Sequence, residues 1–137
     1  MNRKVLVIDD SSMVRAVFRA AFAGVEDLQL QQACNGEEGF ALIKQFGEPD
    51  IIFLDVNMPI MDGLEFLDLA GKTGLQKRVP VVIISTEGRD EDVRRGIEAG
   101  AREYVRKPFE LQKLLTVVER LTAKPGCAED KQGGQEK

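Results

Sequence analysis

The sequence predicts an α/β fold, a doubly wound five-stranded parallel sheet with helices on both faces. Three observations predict it. Short, continuous, β-branched apolar runs recur along the chain, and each is followed by a stretch of helical period. Five such strand–helix units follow one another with no internal repeat, an alternation that implies parallel strands joined by helical crossovers. The strong strands also run into chemically capable residues at their carboxyl ends, where open α/β sheets bind their ligands.

The elements follow in order. Val5-Leu6-Val7-Ile8 reads as a strand buried on both faces. From Ser12 to Phe22 the residues Val14, Val17, Phe18, Ala21 and Phe22 recur at helical steps, with Ser11 or Ser12 able to cap and Gly24 able to stop the helix. Leu28 to Ala33 is a weaker strand. Glu37 to Phe46 is helical, with Phe40, Leu42 and Ile43 apolar and Gly47 behind it. Ile51-Ile52-Phe53-Leu54 is the second strong strand, and Leu64 to Leu69 reads as a helix opening near Asp62-Gly63. Val79 to Ile84 is the third, with Pro80 near its start, where a missing donor is tolerated. Asp90 to Ala99 is helical, Gly100 breaks it, and Glu103 to Arg106 is a short strand. Glu110 to Leu121 is the last helix, with Leu111, Leu114, Leu115 and Val118 on one face. Residues 1–123 are the expected domain. Residues 124–137, with Pro125, Gly133-Gly134 and dense charge, have little to bury and read as a disordered polar tail.

Composition narrows the chemistry. The 137 residues include no histidine, no tryptophan and two cysteines. That excludes Ser-His-Asp and Cys-His nucleophile pairs, histidine-ligated zinc and an internal histidine base. Cys34 and Cys127 lie far apart, and a reducing, cytoplasmic setting is the default reading. A net charge of −4 makes non-specific nucleic-acid binding a poor fit. No apolar run approaches the roughly 18 residues of a membrane span, and the N-terminus lacks the h-region of a secretory signal.

The strand ends carry the functional signal. Ile8 is followed by Asp9-Asp10, Leu54 by Asp55, Ile84 by Ser85-Thr86, and the last strand by Lys107-Pro108. Taken singly, each has an ordinary reading: a helix-capping acid, a turn hydroxyl, a surface lysine, and for Tyr104 a half-buried strand aromatic. Together they describe a different site. Three carboxylates in one crevice repel, and a magnesium ion relieves them with two or three oxygen ligands. A metal and a lysine would neutralise a phosphoryl group while a carboxylate attacks it in line, giving an aspartyl phosphate. Gly71-Lys72-Thr73 looks like the end of a phosphate-binding loop. It follows a helix rather than a strand, and Phe66 stands where that pattern needs glycine, so it reads as a helix C-terminus.

At these residues the chain resembles the response-regulator receiver family, most closely its single-domain, CheY-like chemotaxis type. The motifs are Asp9-Asp10, Asp55-Val56-Asn57-Met58-Pro59-Ile60-Met61-Asp62-Gly63, Ser85, and Tyr104-Val105-Arg106-Lys107-Pro108-Phe109, and the resemblance covers Lys4 to Leu121. It implies the flavodoxin-like strand order 2-1-3-4-5. It implies Asp55 as phosphoacceptor, with Asp9, Asp10, Asp55 and the Asn57 carbonyl around Mg2+ (Mn2+ as an alternative ion). Ser85 and Lys107 would meet the phosphoryl group, Tyr104 would report the state by its rotamer, and the Lys107-Pro108 bond would be cis. One departure is Thr86, branched where the family usually has a small residue, which could narrow access or compete with Ser85 for the switch role; Ser85 is favoured because it directly follows the apolar run. Asn57 and Glu87 each lie two residues past a site residue, and are expected to tune phosphoryl lifetime.

The implied function is a stand-alone response regulator of chemotaxis or motility. It would catalyse its own aspartyl phosphorylation and dephosphorylation and act on no separate substrate. Expected partners are a sensor histidine kinase, a downstream protein such as a flagellar motor switch protein, and a phosphatase, with no nucleic acid, no membrane and a monomeric state. The expected output surface carries Asp92, Arg95, Glu98, Tyr104, Arg106 and Lys113, and Met13, Val14 and Arg15 are a candidate kinase-docking patch. Alternatives are a phosphorelay carrier or a regulator of another pathway. A phosphatase of the haloacid-dehalogenase type fits less well, because Asn57 stands where its second aspartate is needed. With no histidine in the chain, the phosphohistidine donor must be a partner's.

Overall fold

The apolar runs form the sheet. The structure is a computed structural model and describes residues 3–55, 63–85, 90–107 and 109–122. The tail expected over 124–137, and the site candidates Asn57, Thr86, Glu87 and Pro108, lie outside the described residues. The strands are β1 (Arg3–Ile8), β2 (Leu28–Ala33), β3 (Ile51–Asp55), β4 (Val81–Ser85) and β5 (Glu103–Arg106). They are all parallel, in the order β2-β1-β3-β4-β5. The helices are α1 (Ser12–Phe22), α2 (Gly36–Phe46), α3 (Gly63–Thr73), α4 (Leu75–Arg78), α5 (Asp90–Glu98) and α6 (Leu111–Leu121).

Continuous apolar strands are needed because both sheet faces are covered. Val5, Val7, Ile51, Phe53, Val82 and Ile84 point to one core, packed by Phe18 and Phe22 of α1 and by Leu114, Val117 and Val118 of α6. The alternate residues Leu6, Ile8, Ile52, Leu54, Val81 and Ile83 point to the other, packed by Phe66, Leu67 and Ala70 of α3 and by Leu75 of α4. Gly96 lets α5 approach the sheet closely: a Cβ there would lie 1.9 Å from Ile83 Cδ1.

Several boundaries differ from the sequence reading. β1 begins at Arg3, not Val5, because Arg3 and Lys4 pair with Leu28 and Gln29 of β2, partners that no local pattern reveals. β4 begins at Val81; Pro80 contributes only its carbonyl, which accepts from Ile52 N at 3.0 Å. α3 runs four residues beyond Leu69, to Thr73, so Gly71-Lys72-Thr73 is indeed a helix C-terminus. In α6, Leu111 is 44% exposed while Val117 is fully buried. The apolar face is therefore rotated from the predicted one, set by its packing against α1.

α4 was not anticipated. Its Gln76 donates from Nε2 to Leu67 O of α3 and to Ala99 O just after α5, both at 2.8 Å. Gly100, with φ of +119°, makes room for it, since a Cβ there would meet Gln76 Oε1 at 1.9 Å. Among the described residues no helix is long and apolar enough to cross a membrane.

Candidate functional site

The strand order creates the crevice. The chain passes from β1 to β2 on one side, then from β3 to β4 and β5 on the other, so the connections part between β1 and β3. Ile8 is paired with Leu54, which sets Asp9 beside Asp55 at the carboxyl edge of the two central strands. Ser85, the last residue of β4, is in register with Arg106, so Lys107 emerges one step beyond it. The Phe109 ring packs edge-on against Phe18, with centroids 5.6 Å apart, and anchors the chain on the far side of Lys107.

Asp9 is fully buried and Asp55 is 3% exposed, the two buried charged residues of the described core. Asp9 is held by four contacts. Its N–H donates to Ala33 O at 3.0 Å, and its Oδ1 accepts from Ser11 N at 2.8 Å. Its carbonyl accepts from Arg15 Nη1 at 2.6 Å. Its Oδ2 lies 2.9 Å from Lys107 Nζ, but the ammonium is off the hydrogen-bonding direction and Oδ2 is buried without a hydrogen bond. Lys107 also lies 3.6 Å from Asp55 Oδ1. Of its two carboxylate neighbours, Lys107 approaches Asp9 more closely than Asp55. Ser11 caps α1, its hydroxyl accepting from Val14 N at 3.2 Å, so the acidic pair leads directly into a formed helix.

Asp10 completes the cluster. One carboxylate oxygen from each of Asp9, Asp10 and Asp55 lies within 4.8 Å of the others. Three carboxylates face one ammonium, and a buried oxygen lacks a hydrogen bond; that donor set suits a hard divalent cation. The residues present therefore fit a metal ion.

The remaining candidates divide. Tyr104 is half-buried, and its hydroxyl accepts from Arg106 Nε at 3.1 Å. Met13 is 77% exposed, but Val14 packs against the core and Arg15 turns inward to the Asp9 carbonyl. Of the docking patch read from sequence, Met13 is exposed while Val14 and Arg15 are half-buried. The sequence reading missed the Arg15–Asp9 contact, which spans a loop and a helical turn with no spacing rule to announce it. It also missed the start of α2, where Asn35 Oδ1 accepts from Glu38 N and Glu38 Oε1 from Cys34 N. Here a signal existed: asparagine followed three residues later by glutamate.

Comparison with known proteins agrees with this geometry. The family model of the response regulator receiver domain matches residues 5–119. The chain is 38% identical over 117 residues to the sensor histidine kinase CheAY of Helicobacter pylori, covering 85% of this chain and 14% of that protein. It is 30% identical to the chemotaxis protein CheY1 of the same organism, over 81% of this chain and 90% of that one. Among solved structures, chemotaxis protein CheY4 of Vibrio cholerae superposes with a TM-score of 0.79 at 30% identity, covering 88% of this chain and 99% of the other. The chain spans about half the length of several other curated relatives it matches.

Proposed function

The chain belongs to the response regulator receiver domain family, and from that premise we propose that it is a stand-alone, cytoplasmic response regulator of a chemotaxis or motility pathway. Asp55 accepts a phosphoryl group from a partner histidine kinase. The observation that carries the reading is the meeting of Asp9, Asp10, Asp55 and Lys107 at one crevice, with Asp9 and Asp55 buried. Support for chemotaxis and for a stand-alone regulator comes from CheY1 and CheY4, relatives matched over nearly their whole length.

In the proposed reaction an Asp55 carboxylate oxygen attacks the phosphorus of a phosphohistidine. The O–P bond forms and the P–N bond breaks. Its electron pair leaves on the imidazole, which takes up a proton from solvent. Water later attacks the same phosphorus, releasing inorganic phosphate and restoring the carboxylate. Asp9, Asp10 and Asp55, with the Asn57 carbonyl, would hold Mg2+, which when bound neutralises phosphoryl oxygens. Lys107, already 3.6 Å from Asp55 Oδ1, offsets charge on the same group. Ser85, with Thr86 beside it, and Tyr104 respond to the added charge of roughly −1.5 to −2. They pass it to the surface built by α5, β5 and α6, where a protein target such as a motor switch docks. Asn57 and Glu87 set how readily water reaches the phosphoryl group.

Incubation with acetyl phosphate and Mg2+, followed by intact-mass and peptide mapping, tests the acceptor. One added phosphoryl group on Asp55, absent without Mg2+, is expected; an Asp55→Asn variant still labelled at that position would refute it. Phosphotransfer profiling against the host's histidine kinases then identifies the pathway.

A further inference from the structure

Asp10 is the least supported member of the acidic cluster. It is exposed, and no hydrogen bond or ion pair from another described residue holds its carboxylate. Its oxygen nevertheless lies within 4.8 Å of oxygens from Asp9 and Asp55. Its placement therefore depends on the backbone that carries it. On one side is the peptide plane shared by Asp9 and Asp10, whose oxygen is the Asp9 carbonyl. That oxygen accepts from Arg15 Nη1 at 2.6 Å, a short, charge-assisted hydrogen bond. On the other side is the Ser11 N–H, tied to Asp9 Oδ1.

We infer that Arg15 is a positioning residue for the acidic cluster: by holding the Asp9 carbonyl it fixes the peptide that carries Asp10, and so keeps the three carboxylates within reach of one cation. The inference rests on the proposed reading that this cluster binds Mg2+. Arg15 is itself well placed for the task. It is half-buried on the first turn of α1. Glu38, in the first turn of α2, has its carboxyl held below its ordinary range first by hydrogen bonds at Cys34 and also by the Arg15 charge.

The sign of the effect separates positioning from simple electrostatics. A guanidinium beside a cation site repels the cation, so removing it should tighten binding if charge alone matters. If Arg15 positions Asp10, removing it should weaken binding although the repulsion is gone.

Mg2+ titration calorimetry on the wild type and on R15M, R15K and R15Q decides this. For R15M the Mg2+ dissociation constant is expected to rise on the order of tenfold, the lower end of the loss caused by removing an outer-shell partner. R15K, which keeps both charge and donor, should stay near wild type. Labelling of R15M by acetyl phosphate should need more Mg2+ for half its maximal rate, yet reach a near wild-type rate at saturation. R15M binding Mg2+ as tightly as the wild type, or more tightly, would overturn the inference. Should R15M fail to fold by circular dichroism, R15L, which also lacks a donor, is read in its place, and R15Q, which keeps an amide donor without the charge, should fall between R15M and the wild type. Absence of Mg2+ binding by the wild type itself would overturn the metal reading underneath, and is seen before any variant is compared.

Discussion

Replacing Asp55 by asparagine should stabilise the metal-free protein. The carboxylate at this position lies within 4.8 Å of oxygens from Asp9 and Asp10, and 3.6 Å from the Lys107 ammonium. With an effective dielectric near 20, each repulsion at that outer distance is worth about 3.5 kcal/mol and the attraction about 4.6 kcal/mol. Two full repulsions would exceed this one attraction by about 2 kcal/mol, screening of exposed Asp10 brings the excess to about 1 kcal/mol, and further interactions of Asp55 offset part of what remains. Burial of the Asp55 charge adds a further penalty that a neutral amide largely escapes. Asp55→Asn is thus expected to gain about 1–3 kcal/mol in EDTA, or roughly 4–10 °C in Tm for a chain of this size. The assay is urea and thermal unfolding followed by far-ultraviolet circular dichroism, since the chain has no tryptophan. Saturating Mg2+ should narrow the gap, because the ion relieves the wild type of the same repulsion. A D55N variant no more stable than the wild type in EDTA would refute the reasoning.

Two further outcomes test the packing and the ion pairs. In Gly96→Ala the new Cβ collides with fully buried Ile83, so a loss of about 1–3 kcal/mol is expected in urea unfolding despite the better helix former, and I83V in the same chain should recover part of it. Arg120 grips Glu103 through two hydrogen bonds of 2.7 and 2.6 Å and holds its carboxyl below the ordinary value of 4.5. A depressed folded value means that this stabilisation is complete above the unfolded value and is lost as pH falls through the folded one. The wild type should therefore exceed E103Q by up to about 1 kcal/mol at neutral pH, with the gap closing in acid, as measured by paired urea titrations.

Much of this architecture is legible in the sequence because it depends on local chemistry. Runs such as Ile51-Ile52-Phe53-Leu54 leave a two-sided buried strand as the economical reading, and Ser11 announces the helix behind the acids. The acids were legible for the same reason, since a strand that ends in a carboxylate delivers it to the sheet edge. What escaped depends on partners distant in the chain. Arg3 and Lys4 are strand residues only because β2 lies beside them. Arg3 is further fastened by Asp27 and Glu119, holding its guanidinium above its ordinary value. α4 is four residues long and carries no period to detect. The side of α6 that faces inward is chosen by α1, which exchanges Leu111 for Val117. Arg15 was visible as a charge, but its direction toward Asp9 is a property of the folded loop.

The Gln76 clip has a mechanical consequence. It lies at the amino edge of the sheet, opposite the acids, and ties the end of α5 at Ala99 to the middle of α3 at Leu67. α5 starts at the acidic edge and finishes at this fastening, so it is a lever with its fulcrum at Gln76. Its nine residues make an arm of about 13 Å. A displacement of about 1 Å at Asp90 then corresponds to a tilt of roughly 4°, shrinking to nothing at Ala99. A shift at the acidic edge would therefore reach the surface of α5 as an angle rather than as a slide, and residues such as Arg95 would travel by their distance from the fulcrum.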